Sequence, residues 1–508
     1  MLTLQPVNYK FMTISLVKHT PALAAAIVSI TLCASVVPMS AQEPVSVEIN
    51  ADKVISTVPK EFHGTNFVAL WNPTGASPGT VNAFSQLGAR LVRFPGGVPA
   101  EWYDLGNPLG SGLTPITTQD AWRLAMAGNA EMIFQTNAFN NKLQKNKKTG
   151  QPYQWDNSGR HAADFVMQAK REGMKVAFWE IGNEPEMDAD KETKRSQDKV
   201  FQSYDAIFED QARAIKQADP TAKIMGPAST NTYFWWHEKN LEKFLKAHGN
   251  RQGTGLVDAV SLHWYTDGDK GPWEKTRGLA QGWARCMDYI QAQMKEYDSR
   301  LLPLYITEWN WGAGDKSDSS EKFANALGCA DCVGMFLRTG VSGHTHFCLQ
   351  HVQRNWGVIA TKGDYRSEND VSPTFFGLAM ASHLGGRVLE TKNSADESNV
   401  LSAYATNDDG NNLSVMLINK DGQPRDVQLT FQGYHPASAK VWTLVPANGG
   451  VEDKDVIYNG KKSPAPATEK LPDPAQVQVK GPYTRKVEPY SLTVITFTPQ
   501  LSASANNL

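Results

Sequence analysis

The sequence has few cysteines, almost no net charge and only one long apolar run, and each shortage excludes a class of protein. Five cysteines in 508 residues are too few for a framework of disulfides. Lysine and arginine (50) nearly balance aspartate and glutamate (52), so the net charge is −2 and no basic field favours nucleic acid as a partner. After the N-terminal region, no apolar run is long enough to cross a bilayer.

The single long apolar run has the surroundings of a targeting segment. Lys10 and Lys18 precede an apolar run over residues 22–37, and small residues follow it at 40–41. A basic region, an apolar region and a small-residue cleavage site are typical of a signal peptide, and the run is too short for a comfortable membrane span. We therefore predict a signal peptide over residues 1–41 and a secreted or periplasmic protein, with no membrane partner after cleavage.

A buried strand that ends in a carboxylate organises the sequence. Residues 174–179 form an apolar run that is typical of a buried strand, and Gly-Asn-Glu-Pro follows at 182–185. The proline ends the strand because it has no ladder donor and disfavours helix at Glu184 before it. A second apolar run, residues 304–307, ends at Glu308. Strand ends form the catalytic face of a β/α barrel, so two such glutamates predict the carboxylate pair that glycoside hydrolysis requires.

Alternating strand and helix patterns predict the fold. Between residues 61 and 387, eight strand-like runs alternate with helical periodicity, which predicts a (β/α)8 catalytic barrel. Residues 388–501 contain short alternating strands, turn signals such as those at 407–410 and no convincing helix, which predicts a β-sandwich. We expect residues 42–60 to form N-terminal strands that could pair with the sandwich, and residues 502–508 to form a disordered tail. The predicted class is α/β, a TIM barrel with a C-terminal all-β sandwich.

The strand-end motifs resemble those of a known group of enzymes. Gly-Asn-Glu-Pro at 182–185 resembles the acid/base motif of the large clan of retaining glycoside hydrolases with a (β/α)8 barrel and catalytic glutamates at the ends of strands 4 and 7. Thr-Glu-Trp at 307–309 resembles the nucleophile strand of that clan, and Arg-Phe-Pro-Gly-Gly at 93–97 and His-Trp-Tyr at 263–265 fall where members carry active-site residues. The resemblance covers roughly residues 60–385 and extends to arabinofuranosidase, xylosidase, endoglucanase and heparanase-like families.

The resemblance implies Glu184 as the acid/base and Glu308 as the nucleophile. An acid/base must be protonated to release the leaving sugar and ionised to activate water, and we expect apolar surroundings and ionised Glu308 to raise the pKa of Glu184 accordingly. Asn183 could bond the sugar hydroxyl beside the reacting carbon. Glu180 and Glu186 are rivals for the acid role, but the first lies inside the strand and the second beyond the proline.

Other residues are predicted to support the pair or to bind substrate. Arg93 and the hydroxyl of Tyr265 would keep Glu308 ionised, and His263 lies two residues before Tyr265 on the same strand face. Several tryptophans could stack on sugar rings or pack in the core. The remaining candidates are Asn137, Trp102, Trp309, Trp311 and Trp356.

These residues predict a retaining O-glycoside hydrolase that cleaves plant or algal polysaccharide or oligosaccharide by double displacement, with arabinofuranosidase-like or xylosidase-like action favoured. No cofactor is expected. The alternatives are an endo-acting glucanase or xylanase, a heparanase-like glucuronidase, and a carbohydrate-binding protein on an inactive barrel. A retaining pair should lie about 5 to 5.5 Å apart, whereas a separation nearer 9 Å would indicate inversion.

A zinc enzyme is a further alternative. His344, His346 and Cys348 lie at alternate positions of one strand, with Cys329 and Cys332 upstream, and zinc binds such side chains. The simpler interpretation is a strand that lines the barrel with polar groups, so no metal is expected.

Overall fold

The centre of the fold is a closed barrel of eight parallel strands in the computed structural model, which describes residues 43–103, 116–138, 156–188, 197–230, 239–312, 318–352 and 356–500. The predicted signal peptide and C-terminal tail lie outside these residues. Strands are numbered along the chain, so β1 (Val45–Val58) precedes the barrel. The barrel strands are β2 (His63–Asn66), β3 (Leu91–Phe94), β4 (Glu131–Thr136), β5 (Val176–Ile181), β6 (Ile224–Thr230), β7 (Ala259–Tyr265), β8 (Leu304–Asn310) and β9 (Gly343–His346).

Helices connect the barrel strands and pack around them. The described α-helices are α1 (Pro78–Leu87), α2 (Thr118–Ala127), α3 (Gly159–Arg171), α4 (Gln197–Ala218), α5 (Asn240–His248), α6 (Trp273–Thr276), α7 (Trp283–Tyr297), α8 (Phe323–Thr339) and α9 (Pro373–Ala381). Their ends follow local sequence signals. The Ser77 side chain caps the first turn of α1 by accepting the N–H of Thr80, and Gly88 ends the helix with φ 76°, a left-handed conformation that glycine adopts without strain. Thr117 and Asp120 form a capping box at α2.

An apolar layer closes the lower half of the barrel. Its members are Leu91, Ile133, Phe178, Met225, Ala259 and Tyr305, all near the starts of their strands. Side chains alternate along a strand, so the inward positions two to four residues further on lie above this layer. Those positions hold polar residues, among them Arg93, Glu180 and His263. Glu308 joins them because the register of β8 shifts at Thr307. The barrel therefore has an apolar floor and a polar upper half at the carboxyl ends of its strands.

The C-terminal part is a β-sandwich built from one eleven-stranded sheet, to which β1 contributes. Strand β1 pairs with β10 in antiparallel and with β13 in parallel orientation. The sandwich strands after the barrel are β10 (Gly386–Asn393), β11 (Leu401–Asn407), β12 (Leu413–Asn419), β13 (Arg425–Gln432), β14 (Pro436–Pro446), β15 (Val456–Tyr458), β16 (Lys461–Lys462), β17 (Ala475–Gln478), β18 (Tyr483–Val487) and β19 (Ser491–Pro499). A second apolar core forms where residues of β1 and β13 meet those of β12 and β19. The predicted fold class, a TIM barrel with a C-terminal sandwich, is confirmed.

A buried ion pair joins the barrel to the sandwich. Lys420, after β12, places Nζ 2.5 Å from Oδ2 of Asp331 in α8, and neither side chain is more than 1% exposed. The hydroxyl of Tyr404 in β11 donates to the other oxygen of Asp331 at 2.7 Å. Lys420 Nζ also donates to the carbonyl of Glu397 at 2.6 Å. A pair buried this deeply is tolerated only when its polar atoms are satisfied, so these contacts specify how the two parts dock.

The four cysteines beyond the predicted signal peptide are all buried free thiols. These are Cys286, Cys329, Cys332 and Cys348. Within the described part of the chain, no helix is both long and apolar enough to cross a membrane.

Candidate active site

The two predicted catalytic glutamates lie at the carboxyl ends of the fourth and seventh barrel strands. Glu184 follows β5, the fourth strand, in a turn where its own φ is 44° and that of Gly182 is 77°. Glu308 lies within β8, the seventh strand, with 7% of its side chain exposed. An oxygen of each carboxyl group lies within 4.8 Å of the other. Oxygens this near to each other fit the spacing of carboxyl groups in retaining glycosidases, about 5 to 5.5 Å, better than the 6.5 to 9.5 Å or so of inverting ones.

Arg93, at the end of β3, holds the polar half of the barrel together. Its side chain is fully buried, and each of its five N–H groups has an acceptor. The acceptors are Glu180 Oε2 at 2.6 Å, Asn66 Oδ1 and Glu308 Oε1 at 2.8 Å, Asn183 Oδ1 at 2.9 Å and His263 Nε2 at 3.3 Å. The guanidinium is planar and has only donors, so it fixes the orientation of all five partners.

Glu308 is hydrogen-bonded at both oxygens. Arg93 Nη1 donates to Oε1, and the Tyr265 hydroxyl donates to Oε2 at 2.8 Å. Both bonds favour the ionised carboxylate. Burial, and then the neighbouring charge of Glu308, raise the pKa of Tyr265 well above its ordinary value, so this hydroxyl keeps its proton and donates. Glu308 is therefore held with its two oxygens in fixed directions, each facing a donor.

Glu184 has a different environment. Its Oε1 lies 2.8 Å from Nδ1 of His263. Because Arg93 can only donate, Nε2 of His263 must accept, and the proton of the neutral ring is on Nδ1. Burial lowers the pKa of His263 to about 4, so the ring is neutral near pH 7 and donates to Glu184. Burial raises the pKa of Glu184 to about 7, although the Arg93 charge works in the opposite direction.

The contrast between the two carboxyl groups has a chemical consequence. The Glu308 carboxyl group accepts hydrogen bonds from a cation and a hydroxyl, whereas the Glu184 carboxyl group is desolvated beside a neutral imidazole. Near neutral pH Glu184 can therefore carry a proton beside a carboxyl group whose two oxygens both face donors. This is the division of roles that a nucleophile and an acid/base require.

The predicted residue Asn183 is also part of the site, and Asn137 lies at the end of β4. The Nδ2 group of Asn183 and the whole side-chain amide of Asn137 are buried and have no hydrogen-bond partner among the described residues. Unpartnered amides at strand ends are suited to bind sugar hydroxyls. Trp356 is half-buried, with its ring 5.7 Å from that of Tyr265.

Two of the tryptophans for which sugar stacking and core packing were both open lie in the core. Trp309 is fully buried on the outer side of the barrel, where its ring packs 5.2 Å from Phe336 of α8. Trp311 is 1% exposed and packs against Gly268 and Gly328, whose missing side chains make room for the indole. Alternation along β8 turns Trp309 outward when Glu308 points inward, so of the two alternatives core packing holds for this tryptophan. The side chain of Trp102 lies outside the described residues.

The rivals for the acid role have other positions. Glu180 is fully buried inside β5 and bonds to Arg93 at 2.6 Å. Glu186 bonds to Thr230 N at 2.6 Å and to the hydroxyl of Ser229 at 3.0 Å. Burial, and then the Glu184 charge, raise the pKa of Glu186 to about 8. Of the three, Glu184 is the one bonded to His263 beside Glu308.

The alternative zinc cluster is not assembled. His344 accepts the indole N–H of Trp309 at Nδ1 and faces His63 at Nε2, and the Cys348 thiol donates to a backbone carbonyl. Over the described ranges, the only group of three potential metal ligands within 4.8 Å is Glu184, His263 and Glu308. His263 offers that group an N–H and not a lone pair, so these residues fit hydrogen bonding better than metal ligation.

Sequence reasoning missed three residues that shape the site. Asn66 fixes Arg93 and donates from Nδ2 to the carbonyls of Thr307 and Thr345. Gln135 accepts the N–H groups of Gly96 and Gly97 at Oε1 and donates to Asn183. Glu101 accepts two backbone N–H groups beside the Glu184 turn. Asn66 and Gln135 lie at or next to strand ends, a signal that could have found them. Glu101 lies in a short 3-10 helix between strands and gave no such signal.

Comparison with known proteins agrees with this geometry. The family model described as glycosyl hydrolases family 39 matches residues 123–333, which include Glu184 and Glu308. No match was found among the curated proteins.

Solved glycosidase structures share the fold across nearly the whole chain. An α-L-arabinofuranosidase from Thermotoga maritima, 14% identical, has a TM-score of 0.67 over 90% of this chain and 100% of its own. CelM2, a bifunctional glucanase-xylanase from a metagenome library, is also 14% identical, with a TM-score of 0.63 over 90% and 99%. A family 44 xyloglucanase from Paenibacillus polymyxa, 12% identical, has a TM-score of 0.60 over 89% and 99%.

Proposed function

The chain is a glycoside hydrolase with a (β/α)8 barrel, and we propose that Glu308 is its nucleophile and Glu184 its acid/base in a retaining double displacement. One observation carries this proposal. The two carboxyl groups have oxygens within 4.8 Å of each other, yet one is bonded to Arg93 and Tyr265 and the other to neutral His263. The donors Arg93 and Tyr265 favour an anion at Glu308, and the neutral His263 favours a proton carrier at Glu184.

In the first step, Glu308 attacks the anomeric carbon and Glu184 protonates the leaving oxygen. The Glu308 carboxylate forms a covalent glycosyl ester, and the bond to the leaving group breaks with its electrons passing to oxygen. Because His263 occupies Oε1 of Glu184 as a donor, the acidic proton is on Oε2. This assignment gives the proton one position from which to reach the leaving group.

In the second step, Glu184 acts as a base. It removes a proton from water, which attacks the anomeric carbon and displaces Glu308. As the ester breaks, negative charge returns to the Glu308 oxygens, where Arg93 Nη1 and the Tyr265 hydroxyl already point. Donors placed in advance at a developing charge lower the barrier because they need not reorganise.

The asparagines next to the pair have the chemistry to bind the sugar. Asn183 is adjacent to Glu184, and its buried Nδ2 has no partner among the described residues. Arg93 and Gln135 both donate to its Oδ1, so Nδ2 is directed away from them. We assign to this N–H the hydroxyl next to the reacting carbon, a contact that strengthens in the transition state. Asn137 would bind a further hydroxyl.

The substrate class is a plant or algal polysaccharide, or an oligosaccharide from it, that carries arabinose or xylose. The support is similarity, since family 39 matches the catalytic half of the barrel and an arabinofuranosidase and a glucanase-xylanase share its fold. Residues 1–41 have the pattern of a signal peptide, which supports a secreted or periplasmic location. N-terminal sequencing of protein from the culture medium or periplasm tests the export proposal; a mature protein that retains residues 1–41 would contradict it.

A glycoside screen with chemical rescue tests the proposal. Nitrophenyl α-L-arabinofuranoside and β-D-xyloside should be cleaved by the wild-type protein, and Glu308→Ala should lose at least about a thousandfold in kcat. Azide should restore part of that loss by replacing the missing carboxylate. Wild-type turnover in Glu308→Ala would refute the nucleophile assignment. Cleavage of other nitrophenyl sugars alone would refute the substrate class and leave the mechanism standing.

A further inference from the structure

The turn that carries Glu184 has a backbone conformation that needs external support. Glu184 has φ 44° and Gly182 has φ 77°, so two of three consecutive residues are left-handed. A non-glycine residue in this region costs about 1–3 kcal/mol and persists when surrounding contacts over-determine it. The contacts that hold this turn therefore decide where the Glu184 carboxyl group lies.

The first support is Glu101, in the 3-10 helix Val98–Trp102 after the Gly-Gly loop. Its Oε1 accepts the N–H of Asn183 and its Oε2 accepts the N–H of Ala138, both at 2.9 Å. A side chain on Gly182 would place its Cβ 3.5 Å from Oε1, so the carboxylate lies directly against the turn. Glu101 thus ties the residue before Glu184 to the chain that leaves β4.

The second support is Glu186, in the 3-10 helix Pro185–Asp188 on the other side of the turn. Its Oε1 accepts the N–H of Thr230 at 2.6 Å, and its Oε2 lies 3.0 Å from the hydroxyl of Ser229. Both partners are at the end of β6, and the N–H of Glu184 donates to Ala228 in the same strand at 3.1 Å. Glu186 thus ties the turn to β6.

We propose that Glu101 and Glu186 are positioning residues that clamp the Glu184 turn from the β4 side and the β6 side. The proposal rests on the proposed function, because it assigns the chemistry to Glu184 and only its placement to the other two. A displacement of about 1 Å at a catalytic group can cost on the order of a hundredfold in rate, so loss of either clamp has a measurable effect.

The two carboxyl groups respond differently to replacement by an amide. A carboxylate accepts at both oxygens, whereas an amide accepts at one end and donates at the other. Glu101 meets two backbone N–H donors, so Glu101→Gln leaves one of them against an NH2 group. One oxygen of Glu186 faces the N–H of Thr230 and the other faces the hydroxyl of Ser229, which can also accept, so Glu186→Gln keeps both of these bonds. Burial, then the Glu184 charge, raise the pKa of Glu186 to about 8, so it is largely neutral at pH 7 and the amide is a close copy.

The experiment measures kcat/KM for phenyl and 2,4-dinitrophenyl glycosides of the pentose that the enzyme cleaves. The variants are Glu101→Gln, Glu186→Ala and, as the conservative control, Glu186→Gln. A misplaced acid slows the release of phenol, a poor leaving group, but has little effect on the release of dinitrophenol, which leaves without protonation. We expect Glu101→Gln and Glu186→Ala to lose about 10- to 100-fold on the phenyl glycoside and less than about threefold on the dinitrophenyl one. Glu186→Gln should stay within about twofold on both.

Two other outcomes would overturn the proposal. Equal losses on both substrates would indicate general disruption of the site, and no loss in Glu101→Gln would show that the clamp is not needed. Circular dichroism and the melting temperature of each variant separate misfolding from misplacement. Glu184→Gln in the same assay keeps the two hypotheses apart. If the loss in Glu184→Gln is the same for both leaving groups, the acid role of Glu184 fails. If the loss in Glu184→Gln depends on the leaving group but the loss in Glu101→Gln does not, only the positioning role fails.

Discussion

Nδ1 of His263 donates to Oε1 of Glu184 across 2.8 Å, and the ring can do so as a neutral donor because Arg93 occupies its other nitrogen. The imidazole therefore orients the proposed acid/base without supplying a charge of its own. Burial lowers the pKa of His263 to about 4 and raises that of Glu184 to about 7, so of these two groups the glutamate is the one that titrates near neutral pH. The pH dependence of the enzyme should follow from this difference.

The pH profile is the first prediction. Glu184 must be protonated for the first step, so kcat/KM on a phenyl glycoside should be sustained below pH 7 and fall about tenfold per unit above it. The 2,4-dinitrophenyl glycoside serves as the control, because its first step needs no acid. Its kcat/KM should lack this alkaline fall. If both substrates show the same fall, the titrating group is not the acid.

The second prediction concerns Arg93, whose five N–H groups all have acceptors. Lysine has three donors and no planar fork, so Arg93→Lys leaves at least two buried acceptors unsatisfied. We expect kcat to fall by at least about a hundredfold and unfolding to become easier by about 2–4 kcal/mol in urea titration. Arg90→Lys, the same substitution at an exposed position three residues earlier in the chain, is the control. A kcat within about threefold of wild type in Arg93→Lys would contradict the orienting role.

Gly97 gives the third prediction. Its φ of 81° and ψ of −150° belong to a region that only glycine occupies readily, and a Cβ there would lie 2.9 Å from Glu308 Oε1. Gly97→Ala should therefore displace the nucleophile and lower kcat on the order of a hundredfold. Gly385→Ala is the control, since its Cβ would meet nothing within 4 Å and its φ is ordinary. Equal activity of the two variants would show that the Gly-Gly loop does not abut the nucleophile.

The fourth prediction concerns the joint between barrel and sandwich. Lys420→Ala leaves Asp331 buried without its cation and should destabilise the fold by about 3–5 kcal/mol, measured by urea unfolding. The double variant Lys420→Met/Asp331→Leu removes both charges and should recover part of that loss. A single variant as stable as the wild type would mean that the pair does not hold the two parts together.

The strand-end glutamates were the most predictable part of the site. An apolar run that ends in a carboxylate, counted fourth and seventh, placed Glu184 and Glu308 on one face because all parallel strands of a barrel present their carboxyl ends together. The sandwich was predictable for a similar reason, since short alternating runs between turn signals have no other stable arrangement.

What the sequence could not show were relationships between distant loops. Glu101 contacts Asn183 and Ala138 across 82 and 37 residues, and no local pattern records such a contact. Conversely, residues that are adjacent in the sequence need not lie at the same site. Trp309 next to Glu308 suggested a sugar platform, yet adjacent residues on a strand face opposite ways, and the indole is in the core.

The central claim is that Glu184 and Glu308 act as a retaining pair, and the anomeric configuration of the first-formed product tests it most directly. Proton NMR of a hydrolysis started with concentrated enzyme records the anomeric signal before the free sugar equilibrates. The separation of the carboxyl groups, with oxygens within 4.8 Å, predicts a first product with the configuration of the substrate. A first product of the opposite configuration would mean that water attacks directly, and would contradict the double displacement.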